Sequence, residues 1–273
     1  MAFLRLRQVC LVAADLAREA ASIKALFGLE ECYRDPNVAR YGLENVLFPV
    51  GTDFIEIVAP TRPGTAAGRF LARHGGRHGY MLIMDCDDPQ ARQQHAAGTG
   101  VRTANLIRHG SYLGVQLHPK DTGGAMLEFN RTEDGEDPKG AYAPAGPAWQ
   151  SAIRQDVTRR LVAAEIECPE PAAFAARWGE LLQRPVKAQK EGASEIALDS
   201  GAIRFLPGTL PEAVFAGVEL DVVDRDQVAR AARDRGCLGA DGEIYASGIR
   251  FRLAQAAAGP LSAAARESRA PSN

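Results

Sequence analysis

At 273 residues and 46% hydrophobic side chains, the chain has apolar material for two cores of ordinary size. Lysine and arginine (32) nearly balance aspartate and glutamate (34), and aromatic residues are sparse, which argues against nucleic acid or an anionic membrane surface as partner and for a small molecule. No apolar run approaches the roughly 18–20 residues that cross a bilayer, and residues 1–10 alternate Arg with Leu instead of forming a signal-peptide core, so a cytoplasmic protein is expected.

Taken in chain order, Leu6–Ala13 reads as a strand. Leu16–Phe27 reads as a helix, with Leu16, Ala20, Ile23 and Phe27 near one face and Gly28 as its stop. The pattern then turns β-like over Glu31–Arg34, Arg40–Pro49 and Phe54–Ala59, broken by Asp35-Pro36-Asn37 and Gly51-Thr52-Asp53. His74 and His78 lie among Gly75, Gly76 and Gly79, in a loop where exposed histidines are the favoured reading and a pocket rim the sharper one. Tyr80–Asp88 is a strand followed by a helix through His95, a stop at Gly98 and Gly100, and a hairpin turn after His109. Residues 134–150, rich in Pro and Gly, read as a linker.

The second half repeats the first. Arg159–Glu167 is a strand, Cys168-Pro169-Glu170-Pro171 opens the helix Ala172–Leu182, and Ala216–Asp224 followed by Gln227–Arg235 matches Tyr80–Asp88 and its helix. The repeating unit is one strand, one helix and three further strands. The expected fold is therefore α+β with four βαβββ modules: a domain over 1–133, a linker over 134–150, a second domain over 151–255 and a frayed tail over 256–273. The five cysteines are scattered without a CxxC pair, which points to free thiols.

Two stretches go beyond pattern. The run from Tyr41 through Glu56 to Pro60 resembles strands three and four of a glyoxalase-like module, and the run from Leu117 through Glu128 to Phe129 resembles the last hairpin of that family. On these motifs the chain resembles the vicinal oxygen chelate superfamily (glyoxalase, bleomycin resistance, dioxygenase), directly over about residues 4–131 and through the repeat over 157–254. The resemblance implies paired modules whose mixed sheets, flanked by helices, curl into a cup. It also implies a divalent metal at the cup floor, held by a His on the first strand and a Glu or Gln on the fourth strand of each module, acting as a Lewis acid.

Glu56 stands between Ile55 and Ile57, and Glu128 between Leu127 and Phe129, so alternation sends each carboxylate to the face opposite its apolar neighbours. Both fall at equivalent points of two modules, as a shared site requires. Gln8 and Met81 occupy the positions where the resemblance expects histidines, and His78 reaches the site only if its strand starts differently or bulges. Two occupancies stay open: one divalent ion held by Glu56, Glu128 and Gln8, or none. Gln8, Asn45, Met81 and His78 are the candidate substrate-binding residues. In the second half, Arg204 and Arg250 stand near the Glu positions, which predicts no metal there. They are read as solvated arginines or, more sharply, as an anion pocket or as partners of first-half acids.

Two functions fit. One is a lyase or isomerase of the glyoxalase or epimerase type, with Glu56 and Glu128 as acid and base; dioxygenase chemistry fits less well because an iron site wants histidines. The other is a metal-free protein that sequesters a small molecule, as in the bleomycin-resistance branch. No nucleic-acid or membrane partner is expected, and a homodimer is left open.

Overall fold

The computed structural model describes residues 3–76 and 78–255, so the tail expected over 256–273 lies outside the described residues. The first half contains β1 (Leu4–Val12), α1 (Leu16–Phe27), β2 (Leu43–Val50), β3 (Asp53–Pro60), α2 (Ala66–His74), β4 (Gly79–Cys86), α3 (Pro89–Gly98), β5 (Thr103–His109), β6 (Tyr112–Leu117), α4 (Pro119–Thr122) and β7 (Met126–Thr132). The second half contains β8 (Thr158–Cys168), α5 (Pro171–Leu182), β9 (Val186–Ala188), β10 (Ser194–Ala197), β11 (Ala202–Pro207), β12 (Val214–Val222), α6 (Arg225–Asp234), β13 (Ile244–Ala246) and β14 (Ile249–Gln255). Each half forms one seven-stranded mixed sheet, in the orders β2-β3-β1-β4-β7-β6-β5 and β13-β14-β12-β8-β11-β10-β9. Modules one and two thus share one sheet, and modules three and four the other.

The first module departs from the expected pattern. Residues 31–34 form only one bridge, Tyr33 to Leu47, because Asp35 caps a 3-10 helix over Pro36–Tyr41 and the chain leaves the sheet there. The run after Leu117 is not a plain hairpin either. His118 accepts the backbone N–H of Lys120 and starts the short turn of helix α4 before β7. The segment holding His74 is the end of α2, whose N-cap is Thr65.

Along β3, Ile55 and Ile57 enter the main core while Glu56 and Val58 face the other way; along β7, Leu127 and Phe129 do the same opposite Glu128 and Asn130. The main core is continuous across the two halves, taking Leu6, Val9 and Leu82 from one sheet and Ala164, Ile166 and Val218 from the other. Two separate cores were the expectation from size; the halves instead share one. Backbone bonds stitch them together, with Leu6 N–H to Ser200 O at 2.9 Å, Asp199 N–H to Leu4 O at 2.9 Å and Phe215 N–H to Gly124 O at 2.9 Å.

The segment over 134–150 is no free linker. It lies as a strap on the cup face of the first sheet, where Tyr142, Ala145 and Trp149 bury themselves with Leu47 and Phe54. A bulge in β1 between Leu6 and Gln8 makes Arg7 the extra residue and turns it under this strap. Its guanidinium carbon lies 5.3 Å from the Phe54 ring centroid, 4.9 Å from Tyr142 and 5.6 Å from Trp149, and one of its N–H groups donates to Pro138 O at 2.8 Å. At the other end of the face, α2 covers Cys10, Val12 and Val58 through Ala67, Phe70 and Leu71.

Candidate functional site

Between the strap and α2 the cup face stays open, with a cavity of ≈ 170 Å³ whose floor includes Gln8, Asn45, Glu56, Met81 and Glu128. Sheet register explains why these residues meet. Cys10 lies opposite Glu56 and Ile83 opposite Glu128, each in a parallel pair, while Gln8 faces Ile83 and Cys10 faces Met81 in the antiparallel pair between them. A pseudo-twofold axis between β1 and β4 therefore exchanges Glu56 with Glu128 and Gln8 with Met81.

Both glutamates are buried, at 7% and 2% exposure, so every oxygen needs a donor. Glu56 accepts from Asn45 Nδ2 at 2.7 Å and from Gln8 Nε2 at 2.8 Å. Glu128 accepts from Gln116 Nε2 at 2.8 Å and from the Tyr112 hydroxyl in a short bond. The two clusters join through Asn130. Its Nδ2 donates to the Tyr112 oxygen at 3.1 Å and to the Tyr142 oxygen at 3.3 Å, and the Tyr142 hydroxyl donates to Gln8 Oε1 at 2.9 Å. A single chain of neutral donors thus runs from one carboxylate to the other, and each proton in it points outward from Asn130 toward a glutamate. Gly114 leaves room for it, since a Cβ there would sit 3.0 Å from both Glu128 Oε1 and the Tyr112 ring.

Burial pushes the Glu56 carboxyl above its usual range and the neighbouring Glu128 adds to this, while donors from Asn45, Cys10 and Gln8 oppose it. Glu128 is also pushed up by burial, against Tyr112, Gln116 and Asn130. The Cys10 thiol, beside Glu56, is raised by burial and by that carboxylate, which suppresses its thiolate. The cavity mouth carries Arg40 and His109, with Tyr41 at its edge receiving Asn105 Nδ2 at 3.2 Å. Asn45 ties the mouth to the floor: its Oδ1 accepts Asp35 N–H at 2.8 Å, where the 3-10 helix begins.

Glu56, Glu128, Gln8, Asn45 and Met81 are brought together. His78 is not. It packs against Gly248, donates its backbone N–H to that residue's carbonyl at 3.2 Å, and sits at the seam between the halves. Tyr112, Gln116, Asn130 and Tyr142 escaped sequence reasoning. Asn130 and Gln116 were in reach of it, the first two residues beyond Glu128 on the same face and the second its cross-strand partner. Tyr142 carried no local signal, because its place depends on the fold of the strap.

The donor set does not fit a divalent ion. Each carboxylate oxygen already accepts an N–H or O–H, the Gln8 amide oxygen accepts the Tyr142 hydroxyl, and the fourth position is a thioether. Among the described residues no three His, Cys, Asp or Glu side chains converge as a ligand set. Glu56, Glu128 and Gln8 thus form a hydrogen-bonded array.

The corresponding face of the second sheet has its charges inverted. Glu165 lies opposite Arg204 and Glu219 opposite Arg252, so Arg204 and Arg252 take the places of Glu56 and Glu128, and Arg250 is the neighbour of the equivalent position. These arginines are part-buried and paired, and among the described residues their ion-pair partners all belong to the second half and not to first-half acids. Arg204 pairs with Glu195 and Glu219, Arg250 with Glu165 and Glu167, and Arg252 with Glu165 and Glu243. The carboxylates of this face are each committed to a guanidinium.

Two seven-stranded sheets of paired βαβββ modules, each with a cup face turned away from a common core, define the vicinal oxygen chelate (glyoxalase-like) fold, and the chain has this fold. It is similar to a hypothetical protein from Staphylococcus aureus (11% identity, 92% of this chain and 99% of that one, TM-score 0.65). It is also similar to a mutant 4-hydroxymandelate synthase from Streptomyces coelicolor (15% identity, 87% of this chain and 76% of that one, TM-score 0.62). A methylmalonyl-CoA epimerase in complex with methylmalonyl-CoA and NH4+ aligns over 48% of this chain and 95% of its own length, at 21% identity and a TM-score of 0.43. No family model matches the chain, and no curated protein matches it in sequence. No helix among the described residues is long and apolar enough to cross a membrane.

Proposed function

We propose that the first cup is the active site of a metal-free acid–base enzyme of the isomerase or lyase type, acting on a small oxygenated metabolite. The observation that carries this reading is the pair of buried glutamates at symmetry-related positions of one cavity, both raised above the ordinary carboxylate range and both oriented by neutral donors. Two carboxyls on one cavity, each raised by burial, divide the roles, the ionised one acting as base and the protonated one as acid. A substrate carbon acid lying between them loses a proton to one carboxylate; the other carboxyl then returns a proton to that carbon on its opposite face, giving inversion, or protonates a group departing from the adjacent carbon, giving elimination with a new double bond. The neutral array holds both groups in place without a cation that would pull their pKa values down.

The test is deuterium incorporation from D2O into a panel of 2-oxo acids, 2-hydroxy acids and acyl thioesters, followed by proton NMR. Wild type is expected to exchange one class, with a loss of about 100-fold or more in Glu56→Gln and in Glu128→Gln. Equal exchange in wild type and the double variant sinks the reading. The apolar wall of Val58, Met81, Ile83 and Ile107 favours a second reading, a binding protein for a small molecule. Saturable binding without exchange in any substrate class supports that one instead.

A further inference from the structure

Beside the cup, across Tyr80, lies a second cavity of ≈ 600 Å³ that the chemistry above does not use. One wall is α2, which brings Arg69, Arg73 and His74; the other is the turn of α4, which brings His118 and Lys120. Glu212 is the carboxylate in this lining and stands 4.0 Å from His74. Among the described residues Arg73 and Lys120 have no carboxylate at ion-pair distance, and Arg69 gives one N–H to Gly64 O. The end of α2 accounts by itself for a basic Arg73 and His74, because cations complement a helix C-terminus. It does not account for Lys120 and His118 lining the same cleft from a different element. In a chain of net charge −2 this is a local concentration of positive charge in a concave site, where the field is focused.

The floor of the cleft is apolar and ordered. Phe70 stacks on His74 at 4.1 Å and meets Tyr80 edge-on at 5.0 Å, with Met126 and Phe174 completing the surface. Phe174 and Ala213 belong to the second half, so the cleft exists only when both halves are docked. Tyr80 lines the cup on one side and this cleft on the other.

We propose that the cleft is an anion-binding subsite for a small molecule carrying a phosphate or carboxylate on an apolar body. The anion sits among Arg69, Arg73 and Lys120, and the apolar body on Phe70, Tyr80 and Phe174. Resting on the reading of the cup as the reactive site, the shared Tyr80 wall makes this the tail subsite of the same ligand, and the substrate a molecule with an oxygenated head and an anionic tail.

The experiment is calorimetric titration of the full chain with 1-naphthyl phosphate and, separately, 1-naphthoate, which distinguishes the two anions. Binding of at least one is expected, weakening with added salt. It should weaken at least tenfold in Arg69→Ala/Arg73→Ala/Lys120→Ala, whose substitutions sit on exposed or turn positions, and be unchanged in Glu56→Gln/Glu128→Gln. Binding that survives the triple substitution but is lost in the glutamate variant places the probe in the cup and overturns the cleft proposal while sparing the cup reading. Binding of neither probe also overturns it. Cleft binding with no deuterium exchange in any substrate class leaves the subsite standing and removes the acid–base reading.

Discussion

Tyr142→Phe isolates one atom of the floor array. The ring would keep its stacking on Phe54, centroids 4.9 Å apart, and its place under Arg7, so packing is conserved. What goes is the hydroxyl that donates to Gln8 Oε1 at 2.9 Å and accepts from Asn130. Asn130 retains the Tyr112 oxygen, whereas Gln8 Oε1 is left buried without a donor. An orphaned buried acceptor costs about 1–3 kcal/mol. If that cost falls on opening of the strap, amide protection over residues 134–150 should drop roughly 5- to 150-fold. Hydrogen-exchange mass spectrometry of strap peptides is the assay, with β11 as an internal reference that should not change. Strap protection within twofold of wild type, in a variant that remains folded, would refute the claim that the strap is bonded into the floor. The same variant frees the Gln8 side chain, so the Glu56→Gln penalty on exchange should be smaller in its background.

Three further outcomes follow from other parts of the molecule. Burial pushes the Asp53 carboxyl up to about 7, so Asp53→Asn should match wild type below pH ~4, where the unfolded carboxyl is protonated. Its advantage in urea midpoint should grow between about pH 4 and 7, where the unfolded wild type releases a proton that the folded state retains, and level off above about 7, where both states are ionised. Glu165→Ala removes a fully buried carboxylate 2.9 Å from Arg250 and 3.0 Å from Arg252 and should lower the midpoint in denaturant titration, by less than the ~3–5 kcal/mol of an orphaned buried charge because Arg250 keeps Glu167 and Arg252 keeps Glu243. Gly79→Ala drives a Cβ into the Phe215 carbonyl at the seam, so it should lower the unfolding midpoint by pushing the sheets apart, seen as faster exchange in both β4 and β12.

How much of this was readable in the sequence depends on the range of the interaction. Alternation along β3 and β7 placed Glu56 and Glu128 on one face, and the repeat placed Gln8 and Met81 at matching positions; both are local patterns fixed by the strand period of two. The paired carboxylates of the second cup were missed because Glu165 and Glu219 lie on first strands and their arginines on fourth strands, a relation that only strand register reveals. The strap failed differently. Its Pro and Gly content predicts exposed loop, and nothing local says that Trp149 will be buried at 1% exposure against a guanidinium brought round by a bulge in β1. His78 was misplaced for a related reason: its partner, Gly248, is far away in the chain and belongs to the other half.

The strap also sets an order of events at the ribosome. The first sheet has all its strands once Thr132 has emerged, but the aromatic cover for Arg7 and the hydroxyl for Gln8 come later, with Tyr142 and Trp149. Until then the nascent half exposes Leu47, Phe54 and an uncovered guanidinium, a surface suited to transient capture by a chaperone. A chain ending just past residue 132 therefore lacks both the strap that finishes the site and the second half that completes the shared core. The strap thus belongs with the first sheet, and a break between them would leave Gln8 and Arg7 without their cover.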